Sequence, residues 1–328
     1  MTLGWGFPIR RPSKMESKRS TSLSWIAKGR RAIGDWPRMR ILLSGGSGFV
    51  GSNFAVQAAA AGHEVLSFSR RKLPSSPNWH HVTASCATLP WEAIERFQPE
   101  ALVHTAWEAT PGVYLESPEN HDWVTWSEQA IRGLADRGTT HFLVLGTCIE
   151  YRITGQPLRE DEPPAPESTY ARCKDELHRR LTAPSTSPPL PLAWARLFYP
   201  YGPGEHPSRL ASSLIARLRR SEPVVLNTPF SIKDYIYVDD VASALLRLLE
   251  RRFHGVINLG TGQGVSVLTL AQTIAEIMGR PELVRWADPP AADSLYHVVA
   301  DSSRLRSLGW FPQVGLEAGL RRLIDASA

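Results

Sequence analysis

The stretch Ile41-Leu42-Leu43-Ser44-Gly45-Gly46-Ser47-Gly48-Phe49-Val50-Gly51 decides the fold of this 328-residue chain. A short apolar run enters a turn with glycine at positions 45, 48 and 51. A helix of small residues follows through Ala61, and Gly62 is placed to cap its end. One glycine permits the tight turn, another lets the backbone approach a pyrophosphate, and the third allows the helix to pack closely on the strand. The anion would lie at the helix N-terminus, where free N–H groups and the helix dipole favour negative charge. Directly after a first strand, such a turn reads as a dinucleotide site, with Phe49 and Val50 opening the helix beside the ligand.

Downstream of the turn, strand and helix patterns alternate. Apolar strands are expected at 64–68, 101–103, 141–145 and 192–196, with an amphipathic stretch at 91–97. Past Arg196 the prolines and glycines between 200 and 207 break the chain before a short helix near 211–219. A helix at 241–249 and a strand at 256–259 read as returns to the main sheet, and helical periodicity resumes at 268–278 and at Leu316, Leu320 and Leu323. The expected fold is α/β: a Rossmann-type doubly wound parallel sheet over 39–198, and a smaller discontinuous C-terminal lobe over 199–328 from which about 234–260 returns to the Rossmann domain.

Composition removes several classes. Hydrophobic content of 42% and charged content of 21% are those of an ordinary soluble domain, and no window reaches the roughly 20 apolar residues of a membrane span. The three cysteines, Cys86, Cys148 and Cys173, lack metal-site spacing and read as thiols of a reducing, cytoplasmic compartment, with no metal expected. The net charge of +5 comes from the arm: residues 1–38 carry nine basic and two acidic side chains, a balance of +7, so the remainder is at −2. A near-neutral body removes the case for a nucleic-acid partner. Three readings of the arm stay open. It is a read-through or disordered extension before a natural start at Met39, which tail base rates favour, an organelle transit peptide, or a basic tether to membrane or RNA.

The second strand ends Ser67-Phe68-Ser69-Arg70-Arg71 without a carboxylate. An acid there would bind the ribose hydroxyls of NAD(H), whereas arginine accommodates the 2′-phosphate of NADP(H), so Ser69, Arg70 and Arg71 favour NADP(H). Tyr170 and Lys174 stand four apart on one helix face, and Tyr170 is the only one of eight tyrosines followed by lysine at that spacing. A phenol with a pKa near 10 is a poor base at neutral pH, and a neighbouring ammonium would favour the phenolate. Thr147, after an expected strand, offers a hydroxyl to a reacting oxygen.

These pieces occur in the order of a known family. The chain resembles the extended short-chain dehydrogenases/reductases, the NAD(P)-dependent nucleotide-sugar epimerase/dehydratase group, nearly end to end from Met39. The resemblance rests on the glycine turn, His104-Thr105-Ala106-Trp107, Thr147, Tyr170 with Lys174, and 196–204 (RLFYPYGPG). It continues through 233–241 (KDYIYVDDV), 258–262 (NLGTG) and 308–312 (LGWFP). It implies that Tyr170 is the general acid/base, that Lys174 tunes it and binds the nicotinamide ribose, and that Thr147 holds the reacting oxygen. It also implies that His104 and Ala106 flank the cofactor, that the C-terminal lobe binds a nucleotide sugar, and that the enzyme is a homodimer through the helix after Pro118 and the helix of Tyr170.

Departures from the family pattern narrow the expectation. Dehydratases of the family follow the threonine with Asp-Glu, whereas this chain has Cys148 and Ile149, with Glu150 one place late. The arginines that clasp the substrate diphosphate are replaced by Lys233 and by the arginine-free stretch 289–293, with Arg209 or Arg285 as compensating candidates. Tyr199 stands where the family has asparagine. What remains is a reductase of a nucleotide-linked 4-keto-6-deoxy sugar, an epimerase with tightly held NAD, or a non-catalytic NADP-binding protein, which would have no need of Thr147, Tyr170 and Lys174 together.

Overall fold

A strand that reads Ile-Leu-Leu without alternation must be covered on both faces of its sheet. In the computed structural model, which describes residues 37–183 and 189–327, Ile41, Leu42 and Leu43 are fully buried. The three readings of the basic arm concern residues 1–36, outside the described span, together with its last two positions. No helix among the described residues is long and apolar enough to cross a membrane.

From the amino end, β1 (Arg40–Ser44) leads into α1 (Phe49–Ala60), β2 (Glu64–Ser69), β3 (Trp79–Thr83), α2 (Trp91–Phe97) and β4 (Ala101–His104). Then come α3 (Glu119–Ala135), β5 (His141–Thr147), α4 (Thr169–Thr182) and β6 (Leu192–Leu197). The second half runs β7 (Tyr199–Tyr201), α5 (Leu210–Arg219), β8 (Val224–Leu226), β9 (Ile232–Tyr237), α6 (Val238–Glu250) and β10 (Gly255–Leu259). It ends with β11 (Gly264–Ser266), α7 (Val267–Ile277), β12 (Val284–Trp286), β13 (His297–Val298), α8 (Ser303–Ser307) and α9 (Leu316–Ala326).

Seven parallel strands form the main sheet in the order β10-β6-β5-β4-β1-β2-β3. One face packs Ile41 and Leu43 on Phe54, Ala55 and Ala58 of α1 and on Val241 and Leu245 of α6. The other packs Leu42 with Ile131 of α3 and Leu177 of α4. This is the Rossmann-type α/β fold. The chain winds outward from β1 to β3 and then returns to β4 on the other side of β1, so a crevice opens at the carboxyl ends of β1 and β4.

The smaller sheet consists of β7, β9, β11 and β13, with β8 and β12 as a separate pair. Its helices α5, α7 and α9 share a core of Leu214, Leu218, Leu270, Ile274 and Leu320. Of the span 234–260 that the pattern assigns to the main sheet, β9 lies instead in this small sheet, because β7, β11 and β13 take its edges. The main-sheet elements of that span are α6, which covers α1, and β10, which pairs with β6.

The glycine turn is held by close contact. Gly45 has φ +77°, and a Cβ on it would stand 2.8 Å from Thr105 Oγ1 and 2.9 Å from the Ala106 nitrogen. A Cβ on Gly51 would overlap the Gly45 carbonyl oxygen and meet Thr105 Oγ1 at 2.8 Å. Thr105 cannot yield easily, since its hydroxyl donates to the Ser44 carbonyl at 2.7 Å. Gly51→Ala is therefore expected to cost about 1–3 kcal/mol, read as a lowered urea midpoint at unchanged slope. An unchanged midpoint would mean that helix and turn are not in the contact described.

Candidate active site

The turn and the start of α1 border the crevice. The helix begins with neither a side-chain cap nor an acidic residue in its first turn, so its N–H groups are left to an anion. The glycines let the turn pack closely on Thr105, Ala106 and Ser67, which added Cβ atoms would strike, and the uncapped helix start beside it fits a dinucleotide pyrophosphate. At the end of β2, Ser69 is buried and donates to the Arg71 carbonyl at 2.9 Å. The Arg71 guanidinium lies back over the turn, with Nη2 2.5 Å from the Ser47 carbonyl oxygen. Arg70 reaches Glu108 at 3.7 Å.

At the end of β4, His104 is buried with both ring nitrogens engaged, Nδ1 with Ser44 Oγ at 2.8 Å and Nε2 with Ser127 Oγ at 2.9 Å. Its side chain ties β1, β4 and α3 together and is not offered to the crevice. Burial, helped by the charge of Lys174, lowers its pKa to about 3. Ala106 donates its N–H to Ser44 Oγ at 3.2 Å, which holds the loop after β4 against the turn.

Thr147 ends β5 and caps a short 3₁₀ turn, Cys148–Glu150. Glu150 is wholly buried and accepts from the Thr147 N–H (2.7 Å), from Trp194 Nε1 (3.0 Å) and from Arg196 Nε (2.7 Å). The late carboxylate is therefore an internal brace of the strand ends and is not a free acid for elimination. Cys148 is buried, and burial pushes its thiol up to about 12, so it stays neutral.

Tyr170 lies in the first turn of α4, whose N-cap Ser168 accepts from the Ala171 N–H. Its half-buried ring packs edge-on against Tyr114 at 4.8 Å and Trp107 at 6.2 Å. Burial pushes the phenol well above its ordinary value, and Tyr114 and the Glu150 charge act in the same direction. One turn on, Lys174 is 3% exposed, donates to the Leu145 carbonyl at 2.8 Å and lies 3.8 Å from the Trp107 ring centre. Burial lowers this ammonium to about 7, against the opposing pull of Glu150. Lys174 Nζ lies 5.8 Å from the Tyr170 ring centre, and the carbonyl it binds, that of Leu145, stands two residues before Thr147 on β5. Trp107, to which its sequence motif assigns no role, covers Lys174; its Nε1 donates to Asn120 Oδ1 at 2.7 Å and its ring stacks on Trp123.

Beyond Tyr114, a cleft of about 510 Å³ runs into the small lobe past Tyr199, Arg209, Asn227, Lys233 and Tyr235. The two candidate cations in it differ. Lys233 donates to Asp293 Oδ2 at 3.0 Å and to the Leu295 carbonyl, so its charge is already matched by the stretch that lacks the expected arginine. Arg209 caps α5, and its guanidinium has no hydrogen-bond or ion-pair partner among the described residues. Arg285 is exposed on β12.

Residues 41–260 match the NAD dependent epimerase/dehydratase family. Among curated relatives, the low-salt glycan biosynthesis protein Agl12 of Haloferax volcanii is 26% identical over 306 residues, covering 88% of this chain and 98% of that protein. Among solved structures, the UDP-glucose 4-epimerase of Thermotoga maritima with UDP-glucose superposes with a TM-score of 0.76 at 25% identity, covering 88% of this chain and 98% of that one. MoeE5, in complex with UDP-glucuronic acid and NAD, gives a TM-score of 0.76 at 26% identity over the same shares.

The buried histidine sets a pH dependence. Between the ordinary value of 6.5 and the native value of about 3, the unfolded chain binds a proton that folded His104 refuses. Buried His141 and half-buried His178, each lowered to about 4, act in the same sense. Unfolding free energy is therefore expected to fall as the pH drops from about 6.5 toward 4. His104→Gln should flatten that slope in urea melts at several pH values.

Proposed function

The chain belongs to the NAD dependent epimerase/dehydratase family, whose members act on nucleotide-linked sugars with a nicotinamide cofactor, and on that premise we propose that it is a reductase. It reduces the ketone of a nucleotide-linked 4-keto-6-deoxy sugar with NADPH, using Tyr170 as proton donor. The observation that carries this reading is the end of β2, where no carboxylate stands and Arg71 lies over the phosphate turn. That pair of features suits a 2′-phosphate better than free ribose hydroxyls. A cofactor carrying that phosphate is the usual reductant of a reaction that consumes it.

Bound NADPH would supply hydride to the carbonyl carbon. The protein residues do the rest. Tyr170, whose burial keeps it protonated, is suited to donate a proton to the oxygen as charge develops there. Lys174 stabilises the phenolate left behind, and the Thr147 hydroxyl orients the oxygen. Elimination has no acid and base to run it, since Glu150 is bound by Trp194 and Arg196 and Cys148 is neutral. In the cleft, Arg209 is the cation best placed to take the substrate diphosphate, and Tyr199 and Tyr235 wall the sugar nucleotide. The reading includes a homodimer through α3 and α4.

A second reading, epimerisation with tightly held NAD, draws on the epimerase similarity and on the NAD named with MoeE5. The two differ in whether the cofactor is consumed. With a dTDP- or UDP-linked 4-keto-6-deoxy sugar, the protein is expected to oxidise NADPH stoichiometrically. Tyr170→Phe should lower that rate roughly 10²–10⁴-fold while leaving NADPH binding intact. Normal turnover by Tyr170→Phe would remove Tyr170 from the chemistry.

A further inference from the structure

The arginine over the phosphate turn is held by a chain of hydrogen bonds that starts at the edge of the sheet. In the β2–β3 register Ser67 faces His81. Trp79 Nε1 donates to Ser67 Oγ at 2.8 Å. An indole N–H can only donate, so the Ser67 hydroxyl accepts there and is free to give its own proton onward. It lies 2.8 Å from His81 Nδ1. On the other side of the ring, His81 Nε2 is 2.9 Å from the Arg71 carbonyl oxygen, which can only accept. The ring is thereby fixed as the Nε2–H tautomer, accepting from Ser67 and donating to Arg71.

Ser69 Oγ donates to the same carbonyl at 2.9 Å, so the Arg71 peptide is pinned at two points. With the peptide pinned, the Arg71 side chain reaches back 2.5 Å from the Ser47 carbonyl, and its Nε lies 3.4 Å from Ser47 Oγ. The turn rests on the same group: a Cβ on Gly46 would stand 2.6 Å from Ser67 Cβ. Trp79, Ser67, His81, Arg71 and Ser47 form one continuous path from the last strand of the sheet to the phosphate turn.

We infer that His81 is the positioning residue for cofactor choice: by fixing the Arg71 peptide through a ring braced on Ser67, it sets the guanidinium where a 2′-phosphate would lie. The inference rests on the NADP reading above. Arg71 is exposed, and without the brace its long side chain would lose entropy on meeting the phosphate. His81 itself need not touch the cofactor.

Direct binding of NADPH and NADH, followed by quenching of protein fluorescence, separates the two claims. The wild-type protein is expected to bind NADPH more tightly than NADH. His81→Ala should weaken NADPH roughly tenfold, about one charge-assisted hydrogen bond, with NADH affinity and melting temperature essentially kept. In the Arg71→Ala background, His81→Ala should add less than about twofold, because both act through one guanidinium. His81→Gln, which can accept and donate once each, should recover part of the NADPH affinity. A wild-type protein that binds NADH at least as well would overturn the cofactor reading and this inference with it. A wild-type preference for NADPH that His81→Ala leaves unchanged, or that falls equally for both cofactors, would overturn the inference alone. Full additivity with Arg71→Ala would also exclude the route through Arg71.

Discussion

The carboxylate of Glu150 is the constraint on which the active site depends. It is buried beyond reach of water, and such a charge is tolerated only when paired and hydrogen-bonded. Arg196 supplies the charge, and Trp194 and the Thr147 N–H supply the remaining donors. The guanidinium in turn lies 4.2 Å over Tyr151, whose hydroxyl donates to Asn258, and Asn258 donates to the Leu158 carbonyl. One acid therefore locks the ends of β5, β6 and β10 to the loop that follows them. Removing a single partner from such a pair costs about 3–5 kcal/mol. Thr147 stands where it does because its peptide is part of this lock.

The same lock bears on the chemistry proposed above. Glu150 is turned inward as a brace, and the position directly after Thr147 holds a neutral thiol. The site retains a hydroxyl, a phenol kept protonated by burial, and a lysine shielded beneath Trp107. On the reading proposed above, that set passes a proton to a developing alkoxide, while Glu150, held by Trp194 and Arg196, is not free to help remove water. On the same reading, the arginine over the phosphate turn favours a consumed cofactor over a resident one.

Local patterns made the main sheet legible. The glycine turn, the unalternating apolar strands and the Tyr170–Lys174 spacing are short-range signals, and each sits where its spacing places it. Features that depend on partners distant in sequence were not legible. Glu150 reads as a displaced dehydratase acid because Trp194 and Arg196 lie far along the chain. Lys233 reads as a phosphate clasp because Asp293, which matches its charge, comes from another element. His104 reads as a cofactor neighbour, yet its ring is enclosed between Ser44 and Ser127. The strands of the small sheet, of two to six residues, are too short for periodicity to register, and β3 carries two histidines where an apolar run would announce a strand.

The central claim is that hydride leaves the cofactor for good. It is tested most directly with NADPH deuterated at the transferable position of the nicotinamide and a nucleotide-linked 4-keto-6-deoxy sugar, with the product examined by nuclear magnetic resonance. A reductase places deuterium on the former carbonyl carbon and releases one oxidised cofactor for each product formed. An unlabelled product with NADPH unconsumed, or a protein purified with oxidised NAD that stays bound through turnover, would contradict the account and identify an epimerase instead.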